Sequence, residues 1–293
     1  MTTTPTELRF DRTPSALAYM LRGALPVTRR RGEGLPELTA TWRGHRVDAD
    51  DLAAFLRITG LPARATLPLL YPHTFGFRLA MAVLTSPAFP VPIWNVLQIR
   101  NHILAHRPIP VGATLDFETR VRALRVLAKG AEYDLHTRVD ADGALAWESL
   151  VTFYARGRGF GAPQPESPLA RAPSEWGDLC AEWTMSDDAH VRFGRFTGDY
   201  NGIHLFRWYA RRFGFDSPLY HPQRVLAACL ARLDEADDDR PRRLDAWLKG
   251  PVPHGAHVRL HARASSAETT FALFAEPRRP AIIGRLGLTA AGL

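Results

Sequence analysis

His73-Thr74-Phe75-Gly76-Phe77-Arg78-Leu79-Ala80-Met81-Ala82-Val83-Leu84 is apolar at almost every position rather than along one stripe. That pattern predicts a helix buried on most of its sides. Such a helix needs a sheet wrapped around it, and the chain downstream supplies strands at residues 93–102, 114–124, 131–139 and 144–155. Pro108 and Pro110 fall in the first connection, and Asp140-Ala141-Asp142-Gly143 has the chemistry of a tight hairpin turn. Upstream, residues 35–47 read as extended with a turn at Gly44-His45. Residues 48–59 read as a short helix capped by Asp48 or Asp50, with Leu52, Phe55 and Leu56 on its apolar face and Gly60 as its stop. Residues 67–72 read as a short apolar strand, and residues 1–24 as a weakly ordered arm or docking helix.

The order then repeats. A stretch rich in Gly and Pro (Gly159, Gly161, Pro163, Pro165, Pro168, Pro173) reads as a linker over 158–174. Beyond it come a strand at 179–185, a short helix at 209–213 ended by Gly214, and a helix at 222–236. This last helix has Pro222 in its first turn, Val225, Leu226, Cys229, Leu230 and Leu233 on its apolar face, and Asp237 to Asp239 in solvent at its end. Strands at 245–248, 256–264, 268–275 and 281–288 close the chain. A core helix followed by an antiparallel meander therefore occurs twice, although no identity between the halves is visible by eye. The expectation is an α+β protein with an arm at 1–34, one unit at 35–157, a linker at 158–174 and a second unit at 175–293.

A length of 293 residues exceeds the usual single core and agrees with two units. The formal charge of +7 comes almost wholly from Arg, since Lys occurs only at Lys129 and Lys249. The basic residues are scattered, with short runs such as Arg29-Arg30-Arg31 and no recognition motif, which argues against nucleic acid. A small phosphorylated ligand or an acidic carrier protein fits as well as nucleic acid, and the charge by itself reads first as a generic Arg-rich surface with no special partner. Cys180 and Cys229 lack a nearby second thiol for zinc or a redox pair and read as core residues in a reducing compartment. No targeting leader or membrane-spanning apolar run is apparent, so a cytoplasmic location is expected. Strand alternation puts His257 and His261 on one face and His254 elsewhere, which is poor metal-ligand geometry.

The chemistry concentrates in Arg192-Phe193-Gly194-Arg195-Phe196-Thr197-Gly198-Asp199-Tyr200-Asn201-Gly202-Ile203-His204, where an acid, an amide and an imidazole stand close together. Gly198 and Gly202 bracket them, so they are expected on an irregular turn rather than on one helical face. The same letters also serve a plain surface turn, with His204 a satisfied, partly buried histidine.

From Phe193 to Ala210 the sequence resembles the MaoC-like hydratases, the (R)-specific enoyl-thioester hydratases and dehydratases of the hotdog fold. Thr197, Gly198, Asp199, Asn201, Ile203 and His204 match that family's Ser/Thr-Gly-Asp-x-Asn-Pro-Ile/Leu-His signature, and Ala210 takes its final small position. Residues 67–73 and Ile99-Arg100-Asn101 are similar to the non-catalytic first repeat of the double-hotdog members. The resemblance implies a tandem hotdog fold and a hydro-lyase that interconverts trans-2-enoyl and (3R)-hydroxyacyl thioesters of coenzyme A or an acyl carrier protein. It implies no cofactor and no metal, and it is compatible with a homodimer. Asp199 and His204 would activate one water. Asn201, Gly198, His221, Pro222 and Gln223 would orient the dyad and bind substrate.

Two positions depart from the family. His221-Pro222 stands where His-Gly is usual, and proline has no N–H to offer a developing oxyanion. The donor has then moved to Gln223, Arg224 or a side chain, or the protein binds acyl thioesters without efficient turnover. Gly202 replaces a proline, which leaves the turn less preorganised. A hotdog thioesterase and a non-catalytic acyl-binding protein remain the alternatives.

Overall fold

In the structure, a computed structural model describing residues 5–24, 35–157, 160–186, 188–233 and 241–288, the apolar stretch forms a helix buried from Tyr71 to Thr85. The described elements of the first half are β1 (Thr6–Phe10), α1 (Ala16–Ala24), β2 (Leu38–Arg46), α2 (Ala49–Thr59), α3 (Tyr71–Thr85), β3 (Val96–Ala105), β4 (Thr114–Leu127), β5 (Gly130–Ala141) and β6 (Ala144–Arg156). The second half has β7 (Asp178–Thr184), α4 (His190–Thr197), α5 (Arg207–Arg211), α6 (Pro222–Leu230), β8 (Arg242–Leu248), β9 (His257–Ala264), β10 (Glu268–Phe274) and β11 (Ile282–Leu288).

These strands form one sheet in the order β1-β2-β4-β5-β6-β3-β8-β11-β10-β9-β7. With β1 set aside, the first half runs first, third, fourth, fifth, second strand, and the second half has the same order reversed about the β3–β8 seam. The seam is antiparallel, from Arg100 opposite Trp247 to Ala105 opposite Arg242. A core helix lies between the first and second strand of each half, α3 in one and α6 in the other. This is the tandem hotdog arrangement that the family resemblance implies. The halves also share a short sequence repeat that escapes reading by eye, Pro110-Val111-Gly112-Ala113 and Pro253-His254-Gly255-Ala256. Each closes a turn on its proline carbonyl, with Ala113 N–H on Pro110 O (3.0 Å) and Ala256 N–H on Pro253 O (3.1 Å), although Gly255 is left-handed at φ 72° and Gly112 is not.

At the seam a buried polar cluster joins the halves. His102 Nδ1 lies 2.7 Å from Asp245 Oδ1, and the guanidinium groups of Arg243 and Arg285 donate to the same carboxylate. Asp245 and His102 have no exposed side-chain surface, so the carboxylate is satisfied by side chains of the fold rather than by water.

Local caps follow the sequence. Asp48 accepts from Asp51 N–H at the start of α2, and Gly60, at φ 77°, closes it with its N–H on Leu56 O. Several expectations are corrected. Residues 67–72 are not a strand: Pro68 has no N–H to extend a ladder, only Thr66 makes an isolated bridge, to Pro110, and α3 begins at Tyr71. Within residues 1–24, read as a weakly ordered arm or docking helix, Ala16–Ala24 is helical with Tyr19 buried, as the second reading has it, while Thr6–Phe10 pairs parallel with β2, which neither reading includes. β3 begins at Val96, because Pro92 leads into a 3-10 turn at Ile93–Asn95. The helix expected over 222–236 ends at Leu230, and Asp237 to Asp239 lie outside the described residues. Part of the linker packs on the sheet, with Gln164 N–H on Val126 O and Trp247 Nε1–H on Leu169 O.

Candidate active site

Helix α4 docks on the first half through aromatic rings. Phe55 of α2 lies 6.4 Å and 6.0 Å from Phe193 and Phe196, and Phe75 of α3 lies 5.7 Å from Phe196. The helix covers Arg192 to Thr197, so the irregular turn begins only at Gly198. Gly198 ends the helix with a φ of 74° that suits glycine, its N–H on Gly194 O at 2.8 Å.

Beyond Gly198 the chain is held by its own polar side chains. Asp199 N–H donates to Thr197 Oγ1 (3.1 Å), Asn201 N–H to Asp199 Oδ1 (3.0 Å), and Ile203 N–H to Asn201 Oδ1 (3.1 Å). These short loops are what Asp, Asn and Thr form when they compete with a helix for backbone donors. A 3-10 turn at Gly202–His204 then swings the imidazole back, with His204 Nε2 3.5 Å from Asp199 Oδ2. His204 Nδ1–H donates to Leu219 O at 2.9 Å, which sets the tautomer and leaves Nε2 facing the carboxylate.

The start of α6 forms the other wall. His221 Nε2–H donates to the backbone carbonyl of Asp199 at 2.9 Å, and its ring stacks on His204 with centroids 4.0 Å apart. Pro222 is in the first turn. The Arg224 and Val225 N–H groups both turn back to His221 O (3.0 and 3.2 Å), and among the described residues no backbone acceptor takes Gln223 N–H. The Gln223 side-chain amide lies 3.5 Å from Gln98 Oε1, on β3 of the first half.

The fold thus gathers Asp199, His204 and His221, and sets Gly198, Pro222 and Gln223 beside them. Among the described residues the Asn201 side chain is hydrogen-bonded to the Ile203 N–H, by which it shapes the turn between Asp199 and His204. Two further contributors carry little signal in the sequence. A Cβ on Gly202 would meet the Tyr209 ring at 2.9 Å, so the departure from proline there makes room for an aromatic side chain. Arg78, hidden in the apolar helix, reaches the end of α4. Its only sequence signal is a lone arginine in an otherwise buried stretch.

Burial opposes ionisation of Asp199, yet the facing His204 imidazole and the Asn201 N–H outweigh it and hold the carboxyl below its ordinary range. Burial likewise opposes a charge on His204, and Asp199 reverses it, so the imidazole holds its proton more tightly than a free histidine. Burial and the neighbouring His204 charge push His221 down to about 3, leaving it neutral. The 3.5 Å between Oδ2 and Nε2 exceeds hydrogen-bond length, so one water oxygen can bond to both groups. Asp199, His204 and His221 also bring ligand atoms within 4.8 Å of one another, so a cation would compete for the atoms that hold such a water. Among the described residues no helix is long and apolar enough to cross a membrane.

No protein-family model matches the chain. A curated 3-hydroxyacyl-thioester dehydratase of Mycobacterium tuberculosis is 31% identical over 232 residues, spanning 78% of this chain and 82% of its own length. The crystal structure of HtdX from M. tuberculosis superposes with a TM-score of 0.71 at 25% identity, over 85% of this chain and all of that one. A MaoC-like dehydratase from Phytophthora capsici has the same fold, with a TM-score of 0.69 at 19% identity over 90% of this chain and 98% of its own.

Proposed function

The chain belongs to the MaoC-like 3-hydroxyacyl-thioester dehydratases, hydro-lyases that remove water from a 3-hydroxyacyl thioester or add it to the enoyl product, and we propose that Asp199 and His204 do this through one shared water. The observation that carries the assignment is the facing pair Asp199 Oδ2 and His204 Nε2, with the imidazole locked by Leu219 O. In hydration the carboxylate, held ionised, takes one proton from the water as its oxygen bonds to the β-carbon. His204 gives a proton from Nε2 to the α-carbon, and the proton now on Asp199 passes to Nε2 through the next water, which restores the pair. Dehydration runs the same steps backwards. A carboxylate and an imidazole with affinities set apart in this way suit such an exchange.

Charge develops on the thioester oxygen in between and needs a donor. Pro222 has none, and Gln223 N–H is the first-turn donor left without a backbone acceptor among the described residues, so it takes that role in this reading. The substrate is the (3R) epimer, carried on coenzyme A or a carrier protein whose phosphates suit the Arg-rich surface. The chain divides into a catalytic unit at 175–293, a linker at 158–174, an acyl-binding and structural unit at 35–157 and an N-terminal segment at 1–34. All the groups named come from one chain, so a homodimer is not needed to complete the site.

The test is loss of the conjugated enoyl absorbance of a short trans-2-enoyl-CoA. Wild type turns over, and Asp199→Asn loses about 10²- to 10⁴-fold in kcat, the usual contribution of a general base. An Asp199→Asn enzyme with wild-type kcat would sink the assignment. Pro222 favours one rival, a protein that binds acyl thioesters without turning them over. Tight binding with no turnover by wild type, and turnover gained in Pro222→Gly, would establish it.

A further inference from the structure

Arg78 is a charged residue in the middle of a helix that is otherwise a hydrophobic core element, and it is only 7% exposed. A buried guanidinium persists where its donors are matched. Here they go to carbonyls from two distant segments. Nε–H donates to Phe196 O at 3.1 Å and an Nη2–H to Arg195 O, both in the last turn of α4, while an Nη1–H donates to Pro14 O at 2.8 Å. The last carbonyls of a helix lack intrahelical partners and carry its partial negative charge, so a cation placed on them both satisfies and anchors them.

The contact matters because the catalytic turn begins two residues beyond those carbonyls. Gly198 is the next residue after Thr197, and a Cβ there would stand 3.2 Å from Arg78 Cγ, so the arginine stem lies against the glycine that reverses the chain. Asp199 comes directly after. The elements facing the guanidinium charge bring Tyr19, Asp51, Arg195 and Tyr200 near it, and Tyr200 stands between Asp199 and Asn201 in the turn.

We propose that Arg78 is a positioning residue for the dehydratase reaction: from the half without the dyad it clamps the C-terminal carbonyls of α4 and so fixes Asp199 relative to His204. The clamp also recruits the N-terminal segment through Pro14, tying three parts of the chain to one side chain. His204 is set independently, by Leu219 O, so the 3.5 Å spacing between the two groups depends on holding α4 still. Misplacement of a reacting group by about 1 Å can cost on the order of 10²-fold in rate. This inference rests on the assignment of Asp199 as a catalytic residue.

The experiment measures kcat, KM and thermal midpoint for Arg78→Met and Arg78→Lys with a short trans-2-enoyl-CoA, alone and combined with Asp199→Asn. The expected result is a kcat fall of about 10²-fold in Arg78→Met with KM within about threefold of wild type. Arg78→Lys, whose ammonium cannot span all three carbonyls, falls by less and keeps a cooperative transition. In the Asp199→Asn background the Arg78 substitutions cost little more, because the group they position is already lost. Guanidinium ion at non-denaturing concentration raises kcat of Arg78→Ala without a matching rise in thermal midpoint. The proposal is overturned if folded Arg78→Lys and Arg78→Met keep wild-type kcat while Asp199→Asn is inactive, or if the losses from the two sites simply multiply. Full activity in Asp199→Asn alone would instead remove the assignment on which the proposal rests. If Arg78→Met does not fold, Arg78→Lys and its combination with Asp199→Asn decide.

Discussion

The two halves use the same anchors and differ in what runs between them. In each, a helix after the first strand ends on a left-handed glycine, Gly60 at φ 77° and Gly198 at φ 74°. In each, the chain later makes one isolated bridge to the shared turn, Thr66 to Pro110 and Leu219 to Pro253. The flanking bonds match as well, with Leu67 N–H on Ile109 O and Tyr220 N–H on Val252 O. By that register Pro68 stands where His221 does. Between the anchors, however, the first half needs only residues 61–65, whereas the second runs through 199–218 and carries Asp199 and His204. The chemistry proposed for that pair is therefore an elaboration of one connection, set in a frame that both halves share, as expected when function sits in loops held by a rigid scaffold.

The first half still contributes, through Arg78 and the aromatic packing of α4, and the seam joins the halves into one sheet. The largest way to break that union is Asp245→Ala. It leaves His102 buried without its partner, and Arg243 and Arg285, which are partly exposed, without their shared carboxylate; removing one partner of a buried pair costs about 3–5 kcal/mol. Chemical denaturation should show that loss; a change under about 1 kcal/mol would mean that the halves do not depend on the cluster.

A smaller effect sharpens the contrast between the two connections. Gly202→Ala must displace the Tyr209 ring, and overpacking of this kind costs about 1–3 kcal/mol. Adding Tyr209→Ala should recover much of the loss in thermal midpoint, and the same exchange at Gly112, where a Cβ meets nothing, should cost little. If Gly202→Ala is as stable as wild type, the Tyr209 explanation for that glycine fails.

Acid should weaken both halves gradually. Burial pushes His45 and His254 down to about 4 and His73 and His221 down to about 3, from an ordinary 6.5. Below about pH 6.5 the unfolded chain takes up protons that the folded protein refuses, so stability is full above that point and declines as pH falls toward about 4 and 3. Asp199, whose folded carboxylate holds a proton less readily, adds a further loss as pH falls below its ordinary value of 3.8, where the unfolded chain takes up the proton first. Thermal midpoints measured from about pH 7 to 4.5 should fall continuously; a flat profile would contradict the burial of these rings.

Much of this was legible from residues alone. The apolar run around Leu79, the strands after it and the hairpin at Asp140 to Gly143 follow from local periodicity and turn chemistry. So does the closeness of Asp199 to His204, because the Asp, Asn and Thr side chains that bend the turn are themselves local. The strand expected at residues 67–72 failed for an equally local reason, a proline at 68 with no N–H to extend the pairing beyond the bridge at Thr66.

What the sequence by itself determined is thus the set of elements, their repetition and the turn that carries Asp199 and His204, all governed by interactions within a few residues; the facing of the two groups also needs Leu219 O, 15 residues from His204. Tertiary structure alone decided the parallel pairing of β1, the β3–β8 seam, the fit of Tyr209 against Gly202, the His221 stack on His204 and the reach of Arg78 to the end of α4. The reason is range: Arg78 and Phe196 are 118 residues apart in the chain, His102 and Asp245 are 143 apart. No local propensity encodes such pairs, because the donors and acceptors meet only once two sheets have joined around their helices.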